Sequence, residues 1–289
     1  MILLDGKTLA SKIQNDLKAA VKKLTTKPTL GIILVGSDPA SEHYVGIKQR
    51  DGEQLGFEVI VHRLPKKSSQ KTLTFAIENL NRRNDVHGII VQLPLPDHLN
   101  ALVSLSTIDP AKDVDGFHPL NIGLLALGLP AFQAATPAGI MRLLDAYQVP
   151  IAGKHAVVVG RSITVGKPIA SMLLNRDATV TVCHSKTKRL SEHTKTADIL
   201  IVSVGKPKLI TGAMIKKGAC VIDVGMTRTS KGWVGDVDFA SASKIAQWIS
   251  PVPGGVGPMT VAILFENTLR ANRAQQLVRE KKSRQQARS

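Results

Sequence analysis

Several stretches of this 289-residue chain carry groups that could do chemistry. In Gly160-Arg161-Ser162-Ile163-Thr164-Val165-Gly166 a glycine closes a β-branched run and another opens a helical one. Backbone N–H groups and a helix dipole placed there can hold a pyrophosphate. The pattern departs from G-x-G-x-x-G, because Ser162 stands at the second glycine and the last glycine comes one place late. A plain strand-to-helix turn is the competing reading. The end of the next strand bears on the choice: an NAD site usually carries Asp or Glu there for the ribose hydroxyls. This chain has Cys183-His184-Ser185-Lys186-Thr187-Lys188-Arg189 instead. Arg161, Ser185 and the following cations suit a 2′-phosphate, so NADP is expected rather than NAD.

Tyr44 and Lys48 lie four apart on an expected helix and share a face. Such a pair is ordinarily surface decoration, but Gln92 stands at the carboxyl end of a strand, where open α/β sheets bind ligands. Asp115 in Asp113-Val114-Asp115-Gly116 could join them, or could simply cap a turn. The stretch Pro251–Thr260, dense in Gly and Pro, permits close backbone approach to a flat ligand, or serves as a rigid connector.

The elements that position these groups follow from periodicity. Leu9, Ile13, Leu17, Val21 and Leu24 recur at helical spacing ahead of Pro28. Strands are expected at 29–36, 57–64 and 86–93, with helices at 40–55 and 72–80 between them. From Pro96 to Pro137 little periodicity survives, and a long loop region joining two domains is expected. A helix at 138–146 then leads into four apolar strands, at 155–160, 178–185, 197–205 and 218–225, and a final helix follows Pro258. Alternating strand and helix call for parallel sheets covered by helices.

Composition limits the function classes. Hydrophobic residues make up 43% and charged residues 21%, a globular balance. The net charge is +16 and invites a nucleic-acid reading, yet the segment from Arg270 holds seven basic residues and one acid, +6 of the total. Aromatics are only 3%, too few for the stacking platforms of single-strand binders. Nucleic acid is therefore not expected as the main partner. Cys183 and Cys220, the only cysteines, fall in apolar runs and build neither a disulfide framework nor a metal cluster. No membrane span or signal-peptide profile is read, and a cytoplasmic location without a processed presequence is expected.

Seven stretches in order carry a resemblance: SEHYVGIK (Ser41–Lys48), VQLPLP (Val91–Pro96), KDVDGFHPLNIG (Lys112–Gly123), TPAGIMRLL (Thr136–Leu144), VVGRSITVGKP (Val158–Pro168), CHSKT (Cys183–Thr187) and PVPGGVGPMT (Pro251–Thr260). Together they resemble the bifunctional methylenetetrahydrofolate dehydrogenase/cyclohydrolase (FolD) family over the chain to about Ala271. The resemblance implies NADP-dependent oxidation of 5,10-methylenetetrahydrofolate and hydrolysis of the methenyl product to 10-formyltetrahydrofolate, in one-carbon metabolism serving purine biosynthesis. It implies Lys48 as the proton-shuttling lysine with Gln92 beside it, Tyr44 on the aminobenzoate ring and Asp115 on the pterin. Pro253, Gly254 and Gly255 would line the pterin pocket. Gly160, Arg161, Ser162 and Gly166 would serve the cofactor phosphates, Ser185 the 2′-phosphate and Met226 the nicotinamide, with no metal required. The fold expected is α/β in two domains facing across a cleft: residues 1–138 plus 258–289 for folate and a Rossmann-type domain at 139–257 for NADP. A homodimer and folate substrates, including polyglutamylated ones, are implied as well. Departures from the family's common residues fall at Arg50, Ala134-Ala135 and Ile163-Thr164. The alternatives are a monofunctional NADP-dependent dehydrogenase and, from another class, a basic nucleic-acid binder.

Overall fold

The β-branched runs form parallel strands and the stretches between them form helices, in a computed structural model that describes residues 1–230 and 232–286. In chain order the elements are β1 (Ile2–Leu3), α1 (Gly6–Val21), β2 (Thr29–Val35), α2 (Pro39–Leu55), β3 (Glu58–Leu64), α3 (Gln70–Arg82), β4 (Gly88–Val91), α4 (Ala101–Thr107), α5 (Pro119–Ala126) and α6 (Ala135–Ala146). There follow β5 (His155–Val159), α7 (Gly166–Leu174), β6 (Thr179–Cys183), α8 (Leu190–Thr194), β7 (Ile199–Val202), β8 (Cys220–Asp223), β9 (Thr227–Thr229), β10 (Gly232–Val234), α9 (Phe239–Ala242), β11 (Trp248–Ile249) and α10 (Val256–Gln286). The chain divides into two compact units: Met1–Lys12 with Gly123–Ile263, and Ile13–Ile122 with the chain from Leu264 on.

The second of these units is built on a three-stranded parallel sheet in the order β3-β2-β4. Every residue of β2 and β4 is buried, which is why these strands read as continuous apolar runs rather than alternating ones. Helix α2 begins where the Asp38 carboxylate accepts the Ser41 N–H at 2.8 Å and ends at Gly56, whose φ of 88° is the left-handed conformation of a helix stop. A side chain at Gly52 would fall 2.8 Å from the Phe265 ring, so glycine lets α2 settle on that ring. Phe265, fully buried, meets the Phe57 ring with centroids 4.9 Å apart.

The other unit holds a six-stranded sheet in the order β1-β11-β8-β7-β5-β6, parallel throughout. Because β5 is flanked by β6 on one side and β7 on the other, the strand order reverses there, and the carboxyl ends of β5 and β7 border the switch point where such sheets bind ligands. Its core gathers Val157, Leu200, Val202, Ile210, Val221 and Ile249.

The segment expected to be a long loop instead contains α4 and α5. Seven residues are too few to display a helical period, and α4 is started by the Asn100 side chain, which accepts the Val103 N–H at 3.2 Å. The basic C-terminal segment is helical as far as Gln286, and Gln275 and Arg279 donate to the backbone carbonyls of His87 and Asn84. Among the described residues no helix is long and apolar enough to cross a membrane, and no group of His, Cys, Asp or Glu could hold a metal ion.

Candidate functional site

Within the unit built on β3-β2-β4, helix α2 carries Tyr44 and Lys48, and Gln92 follows the last residue of β4. The Lys48 Nζ donates to Gln92 Oε1 at 3.0 Å, and the Gln92 Nε2 donates to the Leu93 carbonyl at 2.7 Å. The amide is thereby oriented with its oxygen toward the amine. Lys48 is half-buried while Gln92 is buried. Loss of solvent lowers the Lys48 pKa from the ordinary lysine value, and the Asp115 carboxylate partly restores it. Asp115 in turn is raised by burial, with Lys48 lowering it and Asp113 raising it further. Burial also raises the Tyr44 hydroxyl. An amine that sheds its proton more readily than a free lysine, beside a carboxylate that ionises less readily, is suited to proton transfer.

Asp115 is delivered by a loop that three neighbours hold. Residue 113 forms a parallel bridge with Ile89, and the Ile89 N–H donates to the Lys112 carbonyl at 2.7 Å, so the segment acts as a rudimentary extra strand beside β4. A side chain at Gly88 would lie 2.7 Å from Val114, which explains the glycine opposite the loop. The buried Lys112 amine donates to the carbonyls of Leu80, Asn81 and Arg83, fastening the loop to the C-terminal turn of α3. The Asp113 carboxylate accepts the Phe117 and His118 N–H groups and the Asn121 amide at 2.8–3.1 Å. The Asn267 amide donates to the Val114 carbonyl at 2.9 Å. These supporting roles were not found from sequence; the one available signal was a lysine and two acids inside an otherwise turn-like stretch.

Within the other unit, the phosphate-loop candidates gather at the carboxyl end of β5. Gly160 has φ 130°, and a side chain there would fall on the Ser203 carbonyl, 3.1 Å from its carbon. One at Gly166 would fall on the Gly160 carbonyl. Both glycines are therefore required by close backbone approach. The Ser162 Oγ accepts the Val165 N–H at 3.1 Å, the Gly166 N–H at 3.3 Å and the Thr164 hydroxyl at 3.2 Å. With its acceptor capacity engaged by the start of α7, the Ser162 hydroxyl has its own proton to offer outward, as an anion site needs. Arg161 and Ser185 are exposed at the ends of β5 and β6. The Ser185 turn is shaped by His184, whose N–H donates to Thr187 Oγ1 at 2.9 Å and whose Nδ1 accepts the Lys186 N–H at 3.1 Å. Met226 is half-buried just beyond β8, and Pro253, Gly254 and Gly255 lie in the loop between β11 and α10. The residues present fit a phosphorylated dinucleotide: a cradle that side chains would fill, an outward hydroxyl and exposed cations at the ends of two strands.

Two family models match the chain. One, described as the tetrahydrofolate dehydrogenase/cyclohydrolase catalytic domain, matches residues 4–115, and one described as the tetrahydrofolate dehydrogenase/cyclohydrolase NAD(P)-binding domain matches residues 134–276. The bifunctional protein FolD of Wolinella succinogenes is 52% identical over 281 residues, 96% of this chain and 98% of that protein. A solved bifunctional FolD from Campylobacter jejuni is 48% identical with a TM-score of 0.93, covering 95% of this chain and 99% of that one. FolD from Trypanosoma brucei, solved with NADP and an inhibitor, is 38% identical with a TM-score of 0.89, covering 94% of this chain and 97% of that one.

Proposed function

That the chain belongs to the tetrahydrofolate dehydrogenase/cyclohydrolase family is the premise from which we propose how its side chains divide the work. The protein is a bifunctional enzyme of one-carbon metabolism. It oxidises 5,10-methylenetetrahydrofolate to 5,10-methenyltetrahydrofolate with NADP and hydrolyses that product to 10-formyltetrahydrofolate.

When bound, NADP supplies the hydride acceptor. Gly160, Ser162 and Gly166 hold its pyrophosphate at the start of α7, Arg161 and Ser185 hold the 2′-phosphate, and Met226 packs near the nicotinamide. Tyr44 stacks on the aminobenzoate ring, Asp115 accepts hydrogen bonds from the pterin, and the backbone of Pro253, Gly254 and Gly255 lines the pterin pocket. In the hydrolytic step the neutral Lys48 amine takes a proton from the water that attacks the methenyl carbon. The same nitrogen then returns that proton to the pterin nitrogen as its bond to the carbon opens, and the remaining hydroxyl proton leaves to solvent as the formyl carbonyl forms. Gln92 keeps the amine aimed. Folate chemistry is assigned to residues 1–138 with 258–289 and the cofactor to 139–257; by packing, Met1–Lys12, 123–138 and 258–263 group with the cofactor sheet. A cytoplasmic homodimer that accepts polyglutamylated folates and serves purine biosynthesis completes the proposal, on family resemblance; light scattering of the purified protein tests the dimer.

The observation that carries the site assignment is the Lys48 amine, hydrogen-bonded to Gln92 and lowered in pKa by burial beside Asp115. Lys48→Met should abolish decay of methenyltetrahydrofolate absorbance above the buffer rate while circular dichroism stays that of the parent. Full hydrolysis by a folded Lys48→Met protein would remove Lys48 from the mechanism.

A further inference from the structure

Two buried acids in the cofactor unit take no part in the mechanism above. Asp223 ends β8 and Asp236 follows β10, with residue exposures of 4% and 0%. Among the described residues neither has a cation partner in a hydrogen bond or ion pair; both are spent on backbone N–H groups. The Asp223 Oδ1 accepts the N–H groups of Gly225 and Asp236, each at 2.9 Å, and its Oδ2 accepts the Val237 N–H at 2.9 Å. The Asp236 Oδ2 accepts the N–H groups of Val204 at 2.6 Å and Gly205 at 2.9 Å. Its Oδ1 is buried with no hydrogen-bond partner among the described residues, against Gly225, where a side chain would run into the carboxylate. A side chain at Gly235 would likewise lie 2.6 Å from the Asp223 carboxyl carbon. The Asp223 N–H donates to Ser250 Oγ at 2.8 Å, immediately before the Pro251–Gly255 stretch.

Followed in space, these bonds tie the residues after β7 to those after β8 through one continuous run: Val204 and Gly205 to the Asp236 side chain, its backbone to the Asp223 side chain, and that to Gly225 beside Met226. Both tied segments stand at carboxyl ends of strands, next to the β5–β7 switch point where a dinucleotide lies in such sheets. Gly205 is exposed with φ 66°, and a side chain there would meet nothing within 4 Å, while Val204 beside it packs against the core of the six-stranded sheet. The Asp236 carboxylate adds the two hydrogen bonds that fix the Val204 and Gly205 amides in this turn.

We propose that Asp236, with Asp223 behind it, is a positioning residue for the dehydrogenase reaction: its carboxylate oxygen holds the turn at Val204–Gly205 in the shape that receives NADP. The inference rests on NADP binding at this sheet edge, and it assigns Asp236 an acceptor role rather than a charge role, since among the described residues the pair engages five backbone N–H groups and no cation.

The experiment compares Asp236→Ala with Asp236→Asn. Asparagine keeps an oxygen that can accept the Val204 and Gly205 N–H groups; alanine does not. Calorimetric titration of NADP into folate-free enzyme is expected to show Kd raised about tenfold or more by alanine and less than about threefold by asparagine, with hydrolysis of methenyltetrahydrofolate within about twofold of the parent in both. The dehydrogenase loss in the alanine variant should fall on the KM for NADP more than on kcat. Alanine and asparagine weakening NADP equally, or alanine leaving Kd within about twofold, overturns the proposal. A second measurement needs no variant: in the cofactor-free parent, the amides of Val204 and Gly205 should already resist hydrogen exchange, and rapid exchange there also overturns it. Failure of the parent itself to bind NADP would strike the cofactor reading instead, which separates the two.

Discussion

Replacing Gly166 with alanine places a methyl group on backbone that has nowhere to go. The new carbon would fall on the Gly160 carbonyl, 2.5 Å from its carbon and 2.8 Å from Arg161 Cα. These are main-chain atoms, so no rotamer change relieves the contact; either the start of α7 or the turn after β5 must move. Overpacking of this kind costs about 1–3 kcal/mol. The free protein relieves it by shifting the loop, and NADP then has to restore the original shape, so the cost reappears in binding. At about 1.4 kcal/mol per tenfold, NADP Kd should rise ~5- to 150-fold. Titration calorimetry gives Kd, and the dehydrogenase assay should show the same factor in KM for NADP. Hydrolysis of added methenyltetrahydrofolate relies on Lys48 and Gln92 in the other unit, and should stay within about twofold of the parent. An NADP affinity unchanged in a folded Gly166→Ala protein would refute the close-approach argument. Equal loss of both activities would show that the loop does not act through the cofactor alone.

Hydrolysis should gain rate as pH rises and Lys48 sheds its proton, with a midpoint below the ordinary lysine value; since the Asp115 carboxylate holds that proton on, Asp115→Asn should move the midpoint of kcat lower, and an upward move would contradict the coupling. Lys112→Met leaves the carbonyls of Leu80, Asn81 and Arg83 without their donor and should cost about 1–3 kcal/mol, seen as a lower Tm, together with a higher KM for methenyltetrahydrofolate as the Asp115 loop loosens. Two buried groups should tilt the units in opposite directions with pH. His87, lowered to about 4 by burial and by the Arg279 and Lys112 charges, is neutral when folded, so stability falls as pH drops from its ordinary 6.5 through 4, by about 3 kcal/mol at most. Asp223, raised to about 6 chiefly by burial, is protonated in the fold while the unfolded form ionises near 3.8, so its share of stability, also about 3 kcal/mol, is lost as pH rises through 6. Hydrogen exchange between about pH 4.5 and 6.5 should therefore show β2 and β4 gaining protection with pH while β8 loses it, and parallel responses would refute the assignment.

The strands that carry the two sites were legible because burial on both faces leaves unbroken apolar runs: β2, β5, β7 and β8 each announce themselves this way. Their endpoints matter most, and the residues just past them, Gln92, Gly160 and Ser185, could be marked as candidates from strand direction alone. What escaped detection lacks a period. The two-residue strands β1 and β11 show none, and the short helix α4 depends on one capping side chain. The supporting residues escaped for a different reason. Lys112 and Asp236 find their partners 29–32 and 31–32 positions away along the chain, and such pairings are settled by topology rather than by local spacing. An acid at the end of an apolar strand, as Asp223 is, was the one visible sign that a buried carboxylate awaited backbone donors.

The path of the chain also sets an order of assembly. The sheet of β2, β3 and β4 is encoded early, yet Phe265, Leu269 and Ala271, all buried, and Asn267 on the Asp115 loop come from the last stretch of sequence. During synthesis at the ribosome the six-stranded sheet has all its strands by Ile249, while the earlier-made three-stranded sheet waits for its final helix. The half that is translated first closes last, and its open core is the surface a chaperone would meet on the nascent chain.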